Sequence, residues 1–128
     1  MPFDNLHETP FGDIEILTGA RDRISDKDRW TKRRFRDGER HCLVYALSLA
    51  SGSRCPNRPN RTERRLARLL SKQLWPERPS WRRVTLIPSR QRLMSFNDDL
   101  RTNHADVIAL FDRAICGLMA EAPAYVAR

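Results

Sequence analysis

Cys42, His41, His104 and the run Asn97-Asp98-Asp99 are the side chains here whose types could carry chemistry. A thiol with a remote histidine and an amide or carboxylate is the parts list of a thiol hydrolase: thiolate as nucleophile, imidazole as base, the third group orienting the ring. Cys42, His104 and Asn97 supply such a set, with His41 and Asp98 as substitutes. The stretch NDDLRTNHADV, residues 97–107, adds a second thought, because Asp98, Asp99, His104 and Asp106 are metal-ligand types. Their spacing argues against an ion. His104 and Asp106 are two apart, which on a helix turns them about 200° from each other. The glycine that a calcium-binding EF-hand loop requires is also missing. No metal and no cofactor are expected.

The same stretch has a complete architectural explanation. Asn103 at the cap of a helix accepts from a first-turn N–H, and Asp106 three residues on reaches back to the cap residue's own N–H. Asn97, Asp98 and Asp99 then form the preceding turn, since Asn and Asp bond nearby backbone. Cys42 has a similar plain reading. It shares a face with Ala46, Leu49 and Ala50, and a helix begun at Asp37 or Gly38 leaves it past the first turn, where the helix dipole no longer lowers a thiol pKa. A cysteine so placed is a small core hydrophobe.

The elements that position these residues read as helices. Asp13 can cap a helix over 14–25 carrying Ile14, Leu17 and Ile24. Trp30 and Phe35 anchor a polar connection, and Asp37-Gly38 signals a turn. ERHCLVYALSLASG is apolar nearly all round, the mark of a central helix, and Gly52 ends it. Thr62 caps a helix to about Leu74 with Leu66, Leu69, Leu70 and Leu74 in one stripe. Residues 81–96 admit either a short strand at Val84–Ile87 or a helical turn near Arg82 or after Pro88. The last helix runs from about 104 to 121 on Val107, Ile108, Phe111, Ala114, Ile115 and Leu118, and stops before Pro123. The fold expected is all-α, a small irregular bundle of four to five helices whose stripes cover one another. Residues 1–12 form a flexible arm, 13–122 one helical domain, and 123–128 a tail.

Charge is unevenly spread. The net +8 comes from one segment, 54–92, with twelve basic residues against Glu63 and Glu77; residues 1–53 balance at nine of each sign. Arg58, Arg61, Arg64, Arg65, Arg68, Lys72, Arg82 and Arg83 are the candidate contacts to nucleic-acid phosphates, with Trp75 and Trp81 available to stack on bases. No helix-turn-helix, zinc-finger or RNA-recognition signature accompanies them. Cys42, Cys55 and Cys116 are odd in number and lack C-x-x-C spacing, which points to reduced thiols in a cytoplasm. No apolar run approaches the roughly 20 residues of a membrane span, and no secretory signal opens the chain.

The pieces RW…CLVYAL and FNDDLRTNHADVIALFDRAI together resemble a family of short bacterial and phage proteins known as a domain of unknown function. Its pattern is a tryptophan, then a cysteine opening a small-residue A-L helix, then an aromatic-Asn-Asp turn running into a T-x-H-A-D-V helix with a D-R-A-I tail. Trp30, Cys42, Asn97, Asp98, Asn103, His104 and Asp106 occupy the motif positions. Phe96 stands where a tryptophan is commoner and Tyr45 where a glycine is common. The likeness spans about 14–50 and 94–118 and leaves out the arginine-rich middle. It implies an all-α fold and brings no activity or cofactor. The functional expectation is a non-catalytic protein that binds a protein or other ligand through a helix surface, with nucleic-acid binding through 54–92 as the alternative and a hydrolase using Cys42 and His104 behind both.

Overall fold

Thr9 opens the first helix: its Oγ1 accepts from the Gly12 N–H at 3.1 Å, and Pro10 takes the first helical position, where a missing N–H costs nothing. The computed structural model describes residues 9–54, 57–74 and 87–126, with side chains of the last helix to Pro123. Helix α1 spans Pro10–Arg23, so it starts four residues before the expected 14. Asp13 is not its cap but a buried first-turn residue. The reason is tertiary, because Arg65 holds that carboxylate through two hydrogen bonds of 2.5 and 2.8 Å.

A 3-10 turn at Lys27–Arg29 leads into a two-residue antiparallel hairpin, β1 (Arg36–Asp37) and β2 (Arg40–His41). Gly38 sits in its turn at φ +63°, a conformation that suits glycine. Helix α2 is Leu43–Ala50. It is shorter than the apolar run suggested, since Arg40 and His41 pair as strand and Cys42 becomes the N-cap. α3 spans Arg61–Lys72, capped by Asn60 rather than Thr62. α4 spans Ser89–Asp98, which bears out the helical turn after Pro88; Arg82 and most of the Val84–Ile87 strand candidate lie outside the described residues. α5 spans His104–Val126 and continues through Pro123, where the sequence alone suggested a stop.

The structure is predominantly helical, as expected. α1 packs on α5 and α2, and α3 packs on α4. Leu17, Leu43, Leu47, Leu66, Leu70, Leu93, Phe96, Leu110 and Phe111 are fully buried between them. Each such side chain removed from water contributes about 2 kcal/mol before entropy is charged. Trp30 and Phe35 pack on this core half-buried. No helix among the described residues is long and apolar enough to cross a membrane.

Candidate functional site

Four of the motif residues, Trp30, Cys42, Asn97 and Asp98, gather at the C-terminal end of α4. Asn97 is the centre and is 1% exposed. Its Oδ1 accepts from Trp30 Nε1 at 2.7 Å and from the Leu43 N–H at 3.1 Å. Its Nδ2 donates to the Thr31 carbonyl at 3.0 Å and to Asp98 Oδ1 at 3.1 Å. Both acceptor positions and both donors of the amide are thereby used. Asn97 is therefore not the local turn residue expected. It closes residues 30–43 onto α4.

The neighbours complete that closure. Asp98 Oδ1 accepts from the Arg33 N–H at 2.7 Å, and Arg33 holds φ +65°, an uncommon conformation for a residue with a Cβ. Lys32 Nζ donates to the Asp99 carbonyl at 2.7 Å, which also accepts from the Thr102 N–H at 3.0 Å. Asp99 makes the turn by accepting from the Arg101 N–H. Asn103 and Asp106 exchange the two hydrogen bonds of the expected capping box, at 2.9 and 3.0 Å. His104 turns elsewhere: Nε2 donates to the Ile24 carbonyl at 2.6 Å, which fixes the proton on that nitrogen, and the ring leans on Trp30 at 5.8 Å between centroids.

Cys42 caps α2 with its sulfur, which accepts from the Tyr45 N–H at 3.3 Å. The expected position past the first turn is thus corrected, yet the helix end does not make the thiol acidic overall. Burial pushes its pKa up against the downward pull of the Tyr45 and Val44 N–H groups; the Asp98 charge adds a lesser upward effect and Arg90 a lesser downward one. Among the described residues no hydrogen bond joins the thiol to His41, His104 or Asn97. A cleft of about 140 Å³ between Cys42, Met94 and Asn97 is the space next to it. His41 is not on a helix surface as expected. It lies in β2 against Tyr45 at 4.8 Å, and burial, then Arg23 and Arg36, lower its pKa. Among the described residues no group of three His, Cys, Asp or Glu side chains could hold a metal ion.

A second polar centre escaped the sequence reading. Glu63 is 0% exposed. It accepts from Ser48 Oγ and Ser53 Oγ at 2.7 Å each and from Arg90 Nε at 2.8 Å, while its own N–H goes to the Asn60 cap. On an arginine-rich helix it reads as one more surface charge. The only local hint is Asn-x-x-Glu, the spacing of a capping box.

The basic segment divides. Arg65 belongs to the structure, bound to Asp13. Arg58, Arg61, Arg64, Arg68 and Lys72 are exposed, the last four recurring at helical spacing along α3. Glu63, the carboxylate of the described part of this segment, faces inward. Arg82, Arg83, Trp75, Trp81 and Cys55 lie outside the described residues. Between α3 and the start of α4 runs a groove of about 610 Å³ lined by Arg64, Arg68, Arg90 and Arg92, with no carboxylate among the described residues of its wall.

Fold and site define a small, mostly helical domain with a polar closure at one end and a cationic helix face. The model of a family of unknown function, DUF6197, matches residues 9–116, and the chain belongs to that family. No curated protein and no solved structure matches it.

Proposed function

We propose that the protein is a non-catalytic binding module that contacts nucleic acid through the exposed face of α3. The observation that carries this reading is the run Arg58, Arg61, Arg64, Arg68 and Lys72, exposed on one segment whose described carboxylate is buried. Such a row meets phosphates at several points without reading bases, so affinity depends on salt more than on sequence. The motif cluster supports the non-catalytic half. Asn97, Asp98 and His104 spend their bonds on backbone and indole, and the thiol is kept protonated by burial.

Fluorescence anisotropy with a labelled duplex and a labelled single strand, across a salt series, tests the reading. Binding should weaken linearly in log salt, and each of Arg61→Ala, Arg64→Ala and Arg68→Ala should reduce the slope by about 1. Binding absent near physiological salt, or unchanged by reversing the three to Glu, defeats it.

A protein contact is the second reading. Cys116, Gly117, Met119 and Ala120 are exposed on α5, with Met119 58% accessible. An uncharged strip of that kind suits a protein surface. Met119→Glu should then abolish capture of a partner while leaving the anisotropy titration unchanged.

A further inference from the structure

A cavity of about 260 Å³ opens beside the hairpin and is lined by Arg23, Arg29, Glu39 and His41. His41 is its rigid member. Its backbone pairs with Arg36 on one side and bridges to Trp30 on the other, and its ring packs on Tyr45. The ring's Nδ1 is buried and has no hydrogen-bond partner among the described residues. A proton there would be a buried donor without an acceptor, so the neutral ring carries its proton on Nε2. Arg36 stands directly across the ladder from His41, and Arg23 lies close enough to oppose a charge on the ring. Among the described residues Arg23, Arg29 and Arg36 make no ion pair, and neither does Glu39 in the hairpin turn. Three unpaired arginines around one histidine repel one another, and an uncompensated set of that kind in a concave site suits an anionic ligand.

We propose that this pocket binds a phosphate group that retains at least one proton: Arg23, Arg29 and the His41 Nε2–H donate to its anionic oxygens, and Glu39 accepts from its hydroxyl. Arginine forks match phosphate oxygens with two parallel hydrogen bonds. A carboxylate in the wall repels an anion that offers only acceptors, such as sulfate, but accepts from one that keeps a hydroxyl. The four groups come from the end of α1, the 3-10 turn, the hairpin turn and β2. None lies on α3, so the site stands apart from the nucleic-acid face. Arg23 and Arg29 also border a larger groove of about 740 Å³ with Ile16, Leu49 and Ala50 in its wall. That apolar surface suits the organic part of a phosphomonoester, whereas free phosphate needs none of it.

The test uses the full chain labelled with nitrogen-15, titrated with sodium phosphate, phenyl phosphate and sodium sulfate at fixed ionic strength. The pH is held at about 6, close to the second pKa of a phosphomonoester. The amide signals of Arg29 and Glu39 and the ring signals of His41 are expected to move with both phosphates and to stay near their places in sulfate. Arg29→Ala removes an exposed side chain that has no partner among the described residues. It should weaken phosphate binding about tenfold, the value of one charge-assisted hydrogen bond. Glu39→Gln should let sulfate bind as tightly as phosphate, since an amide carries no charge and can donate. Tighter binding of phenyl phosphate assigns the site to a monoester; equal or weaker binding assigns it to free phosphate. Movement of the same signals by sulfate in the unsubstituted chain, a preference for phosphate that survives Glu39→Gln, or silence toward both phosphates overturns the proposal.

Discussion

The indole Nε1 of Trp30 donates to Oδ1 of Asn97 at 2.7 Å, across 67 residues of sequence. The same oxygen receives the Leu43 N–H, so one side chain joins the connection after α1, the start of α2 and the end of α4. Its opposite edge holds the Thr31 carbonyl. This closure accounts for Asn97, Trp30 and the backbone beside Cys42 without invoking a reaction.

Replacing that amide should be costly. Asn97→Ala leaves an indole N–H, a peptide N–H and a carbonyl without partners in the interior, and each unmade bond costs about 1–3 kcal/mol. The expected loss is about 3 kcal/mol or more in urea unfolding followed by circular dichroism. A change under about 1 kcal/mol would show that the closure contributes little.

Glu63→Ala should be worse than Glu63→Gln. Alanine strands Arg90 and two serine hydroxyls around a hole, and removing one partner of a buried ion pair costs about 3–5 kcal/mol. Glutamine keeps an acceptor for Ser48 or Ser53 and fills the volume. Equal midpoints for the two variants would contradict the hub described for Glu63.

Cys42 should alkylate slowly. Burial raises its pKa and covers the sulfur, whereas Cys116 is open to the reagent. Timed iodoacetamide labelling read by mass spectrometry should find Cys116 modified first; the reverse order would revive the nucleophile. The unfolded thiol loses its proton at lower pH than the folded one, so above the ordinary cysteine pKa the unfolded state binds fewer protons and stability falls as pH rises. Cys42→Ser should remove that alkaline slope.

The capping box of α5 should behave as a local device. Asn103→Ala removes the acceptor for the Asp106 N–H and is expected to cost about 1 kcal/mol with the fold intact. Asp106→Asn keeps an acceptor oxygen for the Asn103 N–H but discards the charge at the helix start, so its cost should be smaller, measured in the same denaturation assay.

Much of the architecture was written in short-range patterns. The 3–4 spacing of Val107, Phe111, Ala114 and Leu118 places α5, and Leu66, Leu70 and Leu74 orient α3, because a helix brings such residues to one face whatever surrounds it. Asn103 and Asp106 were legible for the same reason: cap and partner lie three residues apart. Ends were less legible where a distant group intervened. α1 starts at Pro10 because Thr9 caps it and Arg65 gives Asp13 an interior role, and α2 starts at Leu43 because Arg40 and His41 are paired as strand.

Distance along the chain separates what local chemistry specifies from what folding alone settles. An asparagine at 97 and a glutamate at 63 have the same composition in a turn, on a surface or in a core, and nothing within four residues tells which. Their roles come from Trp30, Thr31 and Leu43 for one and from Ser48, Ser53 and Arg90 for the other, and only the packing of α2, α3 and α4 brings those groups within 3.1 Å. The cationic face of α3 stands between the cases. Its arginines were countable from the start, but which of them point outward depended on Asp13 claiming Arg65 and on Glu63 turning inward.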